Sequence, residues 1–331
     1  MGDQQNQFIL SLLGYAVQRG ISAQKLCELC NIGLEDMKIG LASAPSKKQI
    51  NDLWKNAAHL CNDPLFGLHF GESLQLSALG AVGEIIKSSD TVGQAITIAA
   101  SFTPAIVKSF TMEVKKSKTI FVIRLLETDS KDDDFVTQQV ADLLMVFTVH
   151  ELNGLLLRKI SPISVSYPRK ISDPVEYERV FRCRPKRSGD YSISFEAGYW
   201  DEPILTANYE LQKLFLQKVN SESNGKLPSI SFQVTILNYL AKNAYLGILS
   251  LEDVAANFNM SPRSLQRRLQ EESVTFQQLA DSVRKSLALH YLESGKYQIK
   301  EISNILGYNE LSAFSRAFKR WTGKAPIEYQ G

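Results

Sequence analysis

The sequence predicts an α+β N-terminal domain, helices with a small and mainly antiparallel sheet, joined to an all-α C-terminal domain with two helix-turn-helix units. Three observations lead there. Strand-like and helical periodicities mix before residue 220, and only the helical period follows it. A polar tract, Asn220-Ser-Glu-Ser-Asn-Gly-Lys-Leu-Pro228, separates the two regions and has the composition of a linker. Beyond it, two helix–turn–helix patterns recur at about 250–272 and 299–321. The expected organisation is a domain over 1–220, a linker over 221–228 and a second domain over 229–331.

The elements follow in order. Residues 5–18, 22–30 and 46–59 read as amphipathic helices. Asp63-Pro64 has the form of a cap followed by Pro at the first helical position. The helical signal continues over 79–87 and 91–107. Residues 108–115 and 118–126 read as two strands around a Lys116-Ser117 turn. The acidic stretch 129–134 is an exposed connection leading into a long apolar helix over 136–157. Residues 160–167 alternate like a strand, Asp173-Pro174 starts a helix to about Phe181, and 191–195 is strand-like. Residues 207–219 complete the region as a helix.

Composition narrows the function classes. At 331 residues the chain exceeds one ordinary core, and its 44% hydrophobic and 22% charged residues are those of a globular protein. The best apolar runs, 95–107 and 143–157, are broken by Pro104 and by His150 and Glu151, so no membrane span is expected. The N-terminus lacks the basic start of a signal peptide, and a cytoplasmic location is the expectation. Four cysteines do not suggest a disulfide framework. Cys27 and Cys30 form a lone CxxC with no second pair to complete a zinc site. They read better as small buried hydrophobes than as a redox or metal pair. No phosphate-binding glycine loop, HExxH or GxSxG is present, so neither an enzyme nor a cofactor or metal is expected.

Charge is distributed unevenly. Residues 229–331 carry 12 Lys+Arg against 9 Asp+Glu, while residues 1–228 carry 25 against 26. The basic residues cluster at Arg263, Arg267 and Arg268 and again at Arg316, Lys319 and Arg320, and local patches of this kind attract phosphates.

In the first helix-turn-helix, Ser250 and Asp253 have capping-box spacing for a helix that turns Leu251, Val254, Ala255 and Phe258 inward. Ser261-Pro262 caps and starts the second helix, with Leu265 and Leu269 toward the core. Arg263, Gln266 and Arg267 lie on the opposite side near its N-terminal end, the end that meets base edges. Arg can pair bidentately with guanine and Gln with adenine, whereas Arg268 is placed for phosphate. In the second unit Ile299, Ile302, Ile305 and Leu306 form the buried stripe, Gly307 supplies the turn, and Asn309 is the expected N-cap. Phe314, Phe318 and Trp321 face the core. Ser312, Ser315 and Arg316 face out toward bases, and Lys319 and Arg320 toward phosphate. Two such helices about one duplex turn apart, roughly 34 Å, would read two successive major-groove segments of double-stranded DNA.

These tracts, Met-Ser-Pro-Arg-Ser-Leu-Gln-Arg-Arg-Leu (260–269) and Leu-Gly-Tyr through Pro-Ile-Glu-Tyr (306–329), resemble the DNA-binding domain of the AraC/XylS family of bacterial transcription regulators. One departure is Asn259, where that family usually has Gly in the first turn. Asn tolerates the left-handed conformation. The resemblance implies that Arg263, Gln266, Arg267, Ser312 and Arg316 face bases. The N-terminal region resembles the arabinose-binding-like effector domain of one branch of that family. The matching tracts are Leu-Phe-Gly-Leu-His-Phe-Gly-Glu (65–72), the tract beginning Leu-Gly-Ala-Val-Gly-Glu (79–95) and Val-Glu-Tyr-Glu-Arg-Val-Phe-Arg-Cys (175–183). It implies a small-molecule effector of unknown identity and a homodimer contact, without making arabinose the ligand. An activator that works with RNA polymerase is the expected role.

Phe102, Phe110, Phe121 and Phe147 are candidates for the effector pocket, and Arg124 could pair a carboxylate effector. Core packing and an exposed strand face are the competing readings. DNA-tethered alkyl-transfer repair enzymes carry a similar DNA-binding domain, but Cys27, Cys30, Cys61 and Cys183 lack the spacing of their zinc-bound cluster. The other alternative is a ligand-independent DNA-binding and DNA-bending regulator whose N-terminal domain only oligomerises.

Overall fold

Caps and periodicity place most elements where they were expected. The structure is a computed structural model that describes residues 2–34, 45–128, 133–156, 159–204, 231–243, 249–295 and 297–329. The chain divides into one unit made mainly of residues 1–206 and another made mainly of residues 207–331. The linker expected over 221–228 and the helix expected over 207–219 lie outside the described residues.

In the N-terminal unit, helices α1 (Gly2–Gln18), α2 (Ala23–Leu29) and α3 (Lys47–Leu60) precede α4 (Phe66–Ser73). A 3₁₀ turn (Leu76–Leu79) leads to α5 (Ala81–Lys87) and α6 (Val92–Ile106). Ser22 accepts from the Lys25 N–H, Ser46 and Gln49 form a reciprocal capping box, and Thr91 accepts from the Gln94 N–H. Each such cap satisfies helix N–H groups that would otherwise lack a partner and contributes about 1 kcal/mol. Cys27 and Cys30 are buried thiols, as expected of small hydrophobes.

The expectation at Asp63-Pro64 is corrected. The helix starts two residues after Pro64, at Phe66. Asp63 accepts the Leu65 N–H at 3.0 Å, but its other oxygen meets His69 and Arg19, so the carboxylate serves a buried ion pair.

Strands β1 (Phe110–Lys116) and β2 (Ile120–Glu127) form the expected hairpin. The long helix α7 (Asp134–Leu156) then leads through β3 (Ser164–Tyr167), α8 (Pro174–Phe181) and the two-residue β4 (Lys186–Arg187) to β5 (Tyr191–Glu196). The sheet order is β1-β2-β5-β3-β4, antiparallel except for the β3–β4 pair. Alternation along β2 turns Phe121, Ile123 and Leu125 to the buried face, beside Phe195 and Ile193 in register on β5.

Helices α4 and α7 approach more closely than side chains normally permit. A Cβ on Gly67 would lie 2.0 Å from the Gln139 carbonyl oxygen, and one on Gly71 would lie 2.8 Å from the Val146 Cβ. Gln139 locks the contact: its Oε1 accepts the Gly67 N–H at 2.7 Å, and its amide donates to the Pro64 carbonyl at 2.8 Å.

A cluster of ionisable groups is buried beside this contact. His69 bonds Asp63 at 2.7 Å through Nδ1 and Glu176 at 3.0 Å through Nε2. Arg19 lies 3.0 Å from Asp63 and also donates to the Tyr15 hydroxyl. Arg179 forks between Glu176 and Glu72 at 2.7 and 2.6 Å. Burial opposes ionisation of Asp63 and Glu176, but the bonds from His69, Arg19 and Arg179 outweigh it. They hold Asp63 below the ordinary carboxylate range and bring Glu176 to about 2. Burial likewise disfavours the imidazolium, yet Asp63 and Glu176 hold the His69 pKa above its usual value. Asp142 on α7 is different. Burial dominates and pushes its carboxyl up to about 7, although Tyr177 and Gln138 bond it at 2.7 and 3.0 Å.

The described part of the second unit is helical: α9 (Phe232–Lys242), α10 (Leu251–Asn257), α11 (Pro262–Glu271), α12 (Phe276–Ser294), α13 (Ile299–Ile305) and α14 (Leu311–Thr322), with a final 3₁₀ turn (Pro326–Tyr329). Ser250 and Asp253 cap α10 reciprocally, Ser261 and Pro262 start α11, and Gly307 holds φ +80° in the second turn. Asn259 takes the left-handed conformation at φ 49°. One expectation is corrected here: Glu310, rather than Asn309, is the N-cap of α14, and no side chain caps that helix. The N-terminus of α9 is held by Glu272, which accepts the Phe232 and Gln233 N–H groups at 2.7 and 2.6 Å.

Gly67→Ala should destabilise the N-terminal unit by about 1–3 kcal/mol or more, because backbone on α7 would have to move. Gly14→Ala, in a helix interior with open space around the new methyl, should be neutral or stabilising by up to ~1 kcal/mol. Denaturant unfolding of the two variants checks the contrast. For Asp142 the folded pKa is about 7 against about 3.9 unfolded, so the native state alone holds the proton between those values. Its contribution therefore falls as pH rises through that window. Asp142→Asn should match wild type near pH 4 and gain on it progressively, by up to ~4 kcal/mol above pH 7. Parallel pH profiles for the two proteins would refute this.

Candidate nucleic-acid interface and apolar cavity

Helix α11 sorts its residues by face. Leu265 and Leu269 are fully buried, whereas Arg263, Gln266 and Arg267 are exposed at i, i+3 and i+4 spacing. Arg267 has only a weak ionic contact, 3.7 Å to Glu271 one turn along, and stays about three-quarters exposed. Arg268 is also exposed, but its guanidinium lies 4.0 Å from the centre of the Phe232 ring on α9. That stacking competes with an outward reach toward phosphate.

Helix α14 repeats the arrangement. Phe314, Ala317 and Phe318 are buried, Ser312 and Arg316 are exposed, and Ser315 is half-buried. Ser312, Ser315 and Arg316 have the same i, i+3, i+4 spacing as the triad on α11. Trp321 is half-buried and lies near Tyr308. Lys319 and Arg320 are exposed on the last turn. Arg320 is engaged by Asp281 of α12 at 2.9 Å. Asp281 also pairs with Arg284 at 3.3 Å, and the Arg284 guanidinium lies 5.8 Å from the Tyr308 ring. Sequence periodicity does not reveal this network, because Asp281 is thirty-nine residues from Arg320.

The N-terminal unit holds an apolar cavity of about 70 Å³ between α1, α6, α7 and the 3₁₀ turn. Its walls include Phe8, Leu76, Ile96, Leu144 and Phe147, with Thr103, Thr148 and Glu151 as polar groups. Glu151 is buried and accepts the Leu76 N–H at 3.1 Å. Of the five effector-pocket candidates, Phe147 lines this cavity. Phe110 and Phe121 are fully buried against Tyr191, Phe195 and Trp200 in the sheet packing. Phe102 is half-buried on α6, outside the cavity lining. Arg124 lies on β2 and pairs with Asp190 at 3.1 Å. Thr148 and Glu151, polar and three apart within an apolar helix, were the available sequence signal for the cavity.

A second cavity of about 410 Å³ lies beside the first, and Phe8 and Ile106 line both. Its wall is more polar and includes Asn51, Lys47, Lys108 and Thr128. Among the described residues, no group of three or more His, Cys, Asp or Glu is arranged to hold a metal ion. Nor is any described helix long and apolar enough to cross a membrane.

Two helix-turn-helix units with exposed basic outer faces, on a chain that also carries a separate cavity-bearing unit, define a DNA-binding transcription regulator with an effector domain. Residues 20–204 match the family profile described as the arabinose-binding domain of AraC transcription regulator, N-terminal, and residues 254–331 match a helix-turn-helix domain profile. The chain belongs to the AraC family of transcription regulators. It is 26% identical to the ornithine utilization regulator of Pseudomonas aeruginosa, over 97% of this chain and 94% of that protein. It is 31% identical to the transcriptional activator FapR of Escherichia coli, over 55% of this chain and 71% of that protein. Among solved structures, the transcriptional regulator CdpR of Pseudomonas aeruginosa aligns over 93% of this chain and 96% of its own, at 22% identity and a TM-score of 0.42.

Proposed function

We propose that this protein is an effector-controlled activator that reads two successive major-groove segments. Arg263, Gln266 and Arg267 contact bases from α11, and Ser312, Ser315 and Arg316 do so from α14. Arg268, Lys319 and Arg320 contact phosphates. The observation that carries this reading is the repeated spacing of exposed polar residues over buried hydrophobic ones on both helices. The effector is a small molecule bound in the N-terminal unit. A cavity walled by apolar groups with a few polar ones supports this, since small-molecule sites are built that way.

The activator role follows from the similarity to FapR, which is named as an activator, and carries with it an interaction with RNA polymerase. We further assign the chain to a cytoplasmic homodimer without enzymatic activity. The domains are residues 1–220 and 229–331, joined at 221–228.

The test is DNA selection with the full-length protein, with and without a metabolite pool. Enrichment of paired motifs about one duplex turn apart, altered by the pool, is expected. Enrichment indifferent to any metabolite would instead identify a ligand-independent regulator with an N-terminal assembly domain. On the selected site, Arg267→Ala should cost about 1–3 kcal/mol and relax base preference where it binds. Lys319→Ala should weaken binding on all sequences alike and flatten its salt dependence. Unchanged discrimination in the Arg267 variant would remove α11 from base reading.

A further inference from the structure

The residues proposed to face bases on the two helices differ in what they can discriminate. On α11, Arg263 and Arg267 carry the donor fork that guanine accepts, and Gln266 carries the paired donor and acceptor that match adenine. The corresponding positions on α14 are Ser312, Ser315 and Arg316. A serine hydroxyl both donates and accepts, so it bonds to any base edge and selects none strongly. Of the three, Arg316 alone has a fixed preference. A helix with only these contacts would hold DNA more than read it.

Leu311, the first residue of α14, brings a different chemistry. It begins the apolar row that continues at i+3 and i+7 with Phe314 and Phe318. Those two are fully buried, whereas Leu311 is 43% exposed, so the row emerges into water at its first member. Ser312 follows it directly and Ser315 lies one turn on, so the exposed leucine adjoins the outward face of the helix. On α11 the same position is Pro262, half-buried behind the Ser261 cap. The first turn under Leu311 is hydrogen-bonded: the Glu310 carbonyl accepts the Ala313 and Phe314 N–H groups at 3.0 and 3.3 Å. This is the end of a recognition helix that meets base edges.

We propose that Leu311 reads a thymine, packing its side chain on the 5-methyl group in the major groove. This rests on α14 being a base-reading helix. The thymine methyl is the apolar group that base pairs present in that groove, and leucine and methyl both gain by leaving water together. Against adenine, guanine or cytosine the leucine would cover polar edge atoms without replacing their hydrogen bonds to water. The two helices then use different means: α11 selects purines by hydrogen bonds, and α14 adds a thymine by apolar contact.

The full-length protein is used to select its paired site from random duplexes. Each thymine of the motif under α14 is then replaced singly by deoxyuridine, which lacks only the 5-methyl. Wild-type binding should weaken about fourfold at one such position, as expected for one buried methyl. Leu311→Ala should bind the unsubstituted site more weakly and be indifferent to that replacement, while Leu311→Met should keep the methyl dependence. In a fresh selection, Leu311→Gln should exchange the thymine for adenine, the base that Gln pairs with, and leave the motif under α11 unchanged. Because Leu311 is exposed, all three variants should melt with wild type. Methyl removal without effect at every thymine, or with equal effect in wild type and Leu311→Ala, overturns the assignment. So does a Leu311→Ala protein that binds the site as wild type does but activates transcription less in vitro, which would place Leu311 against the polymerase. Selection of a single motif would remove α14 from base reading and this proposal with it, whereas a second motif without a methyl-dependent thymine faults Leu311 alone.

Discussion

The N-terminal unit depends on the contact of α4 with α7. Gly67 and Gly71, four apart, let one helix backbone rest against the other, and Gln139 bonds across the gap in both directions. That contact fixes where α7 lies, and α7 in turn supplies Leu144, Phe147, Thr148 and Glu151 to the cavity. It also brings His69 on α4 between Asp63 and Glu176, so a buried charge cluster becomes satisfiable where isolated charges would be costly. Packing of two glycines thus precedes both the cavity and the ion network in the order of causes.

The C-terminal unit was readable from sequence because its constraints are local. A cap, a turn and a face each span three or four residues, and Ser261, Gly307 and Asn259 do what their chemistry suggests. The error at Asn309 has the same local origin. Asn and Glu stand side by side, and the chain enters α14 with an extended Glu310 that leaves the helix uncapped by any side chain. The N-terminal unit was less readable because its features join distant residues. Asp63 has the form of a helix cap, but Arg19, just past the end of α1, and His69 of α4 draw it inward. Phe110, Phe121 and Phe147 are equally aromatic in sequence. Only the register of β2 on β5 and the rotation of α7 separate those in the sheet packing from the one on the cavity wall.

The three basic residues assigned to phosphate are not equivalent. Lys319 is exposed, whereas Arg268 covers the Phe232 ring and Arg320 is paired with Asp281. To reach DNA, each arginine must give up an existing contact. An exposed ion pair or cation–π contact is worth about 1 kcal/mol or less, while a phosphate contact also gains from counterion release. The exchange therefore favours DNA at low salt and weakens as salt rises.

The contacts given up have a structural meaning of their own. Glu272 holds the first two N–H groups of α9 while Arg268 stacks on Phe232 at the same point, so the end of α11 and the start of α9 are tied by one acid and one base. Withdrawing Arg268 toward phosphate removes the base and leaves the acid, and α9 stays attached through its backbone. On α14, withdrawing Arg320 leaves Asp281 still paired with Arg284, so α12 retains a partner for its carboxylate. In both helices the arginine that can leave is the one whose departure strands no buried charge. The basic residues proposed to face DNA can therefore exchange partners without loosening the helices that carry them.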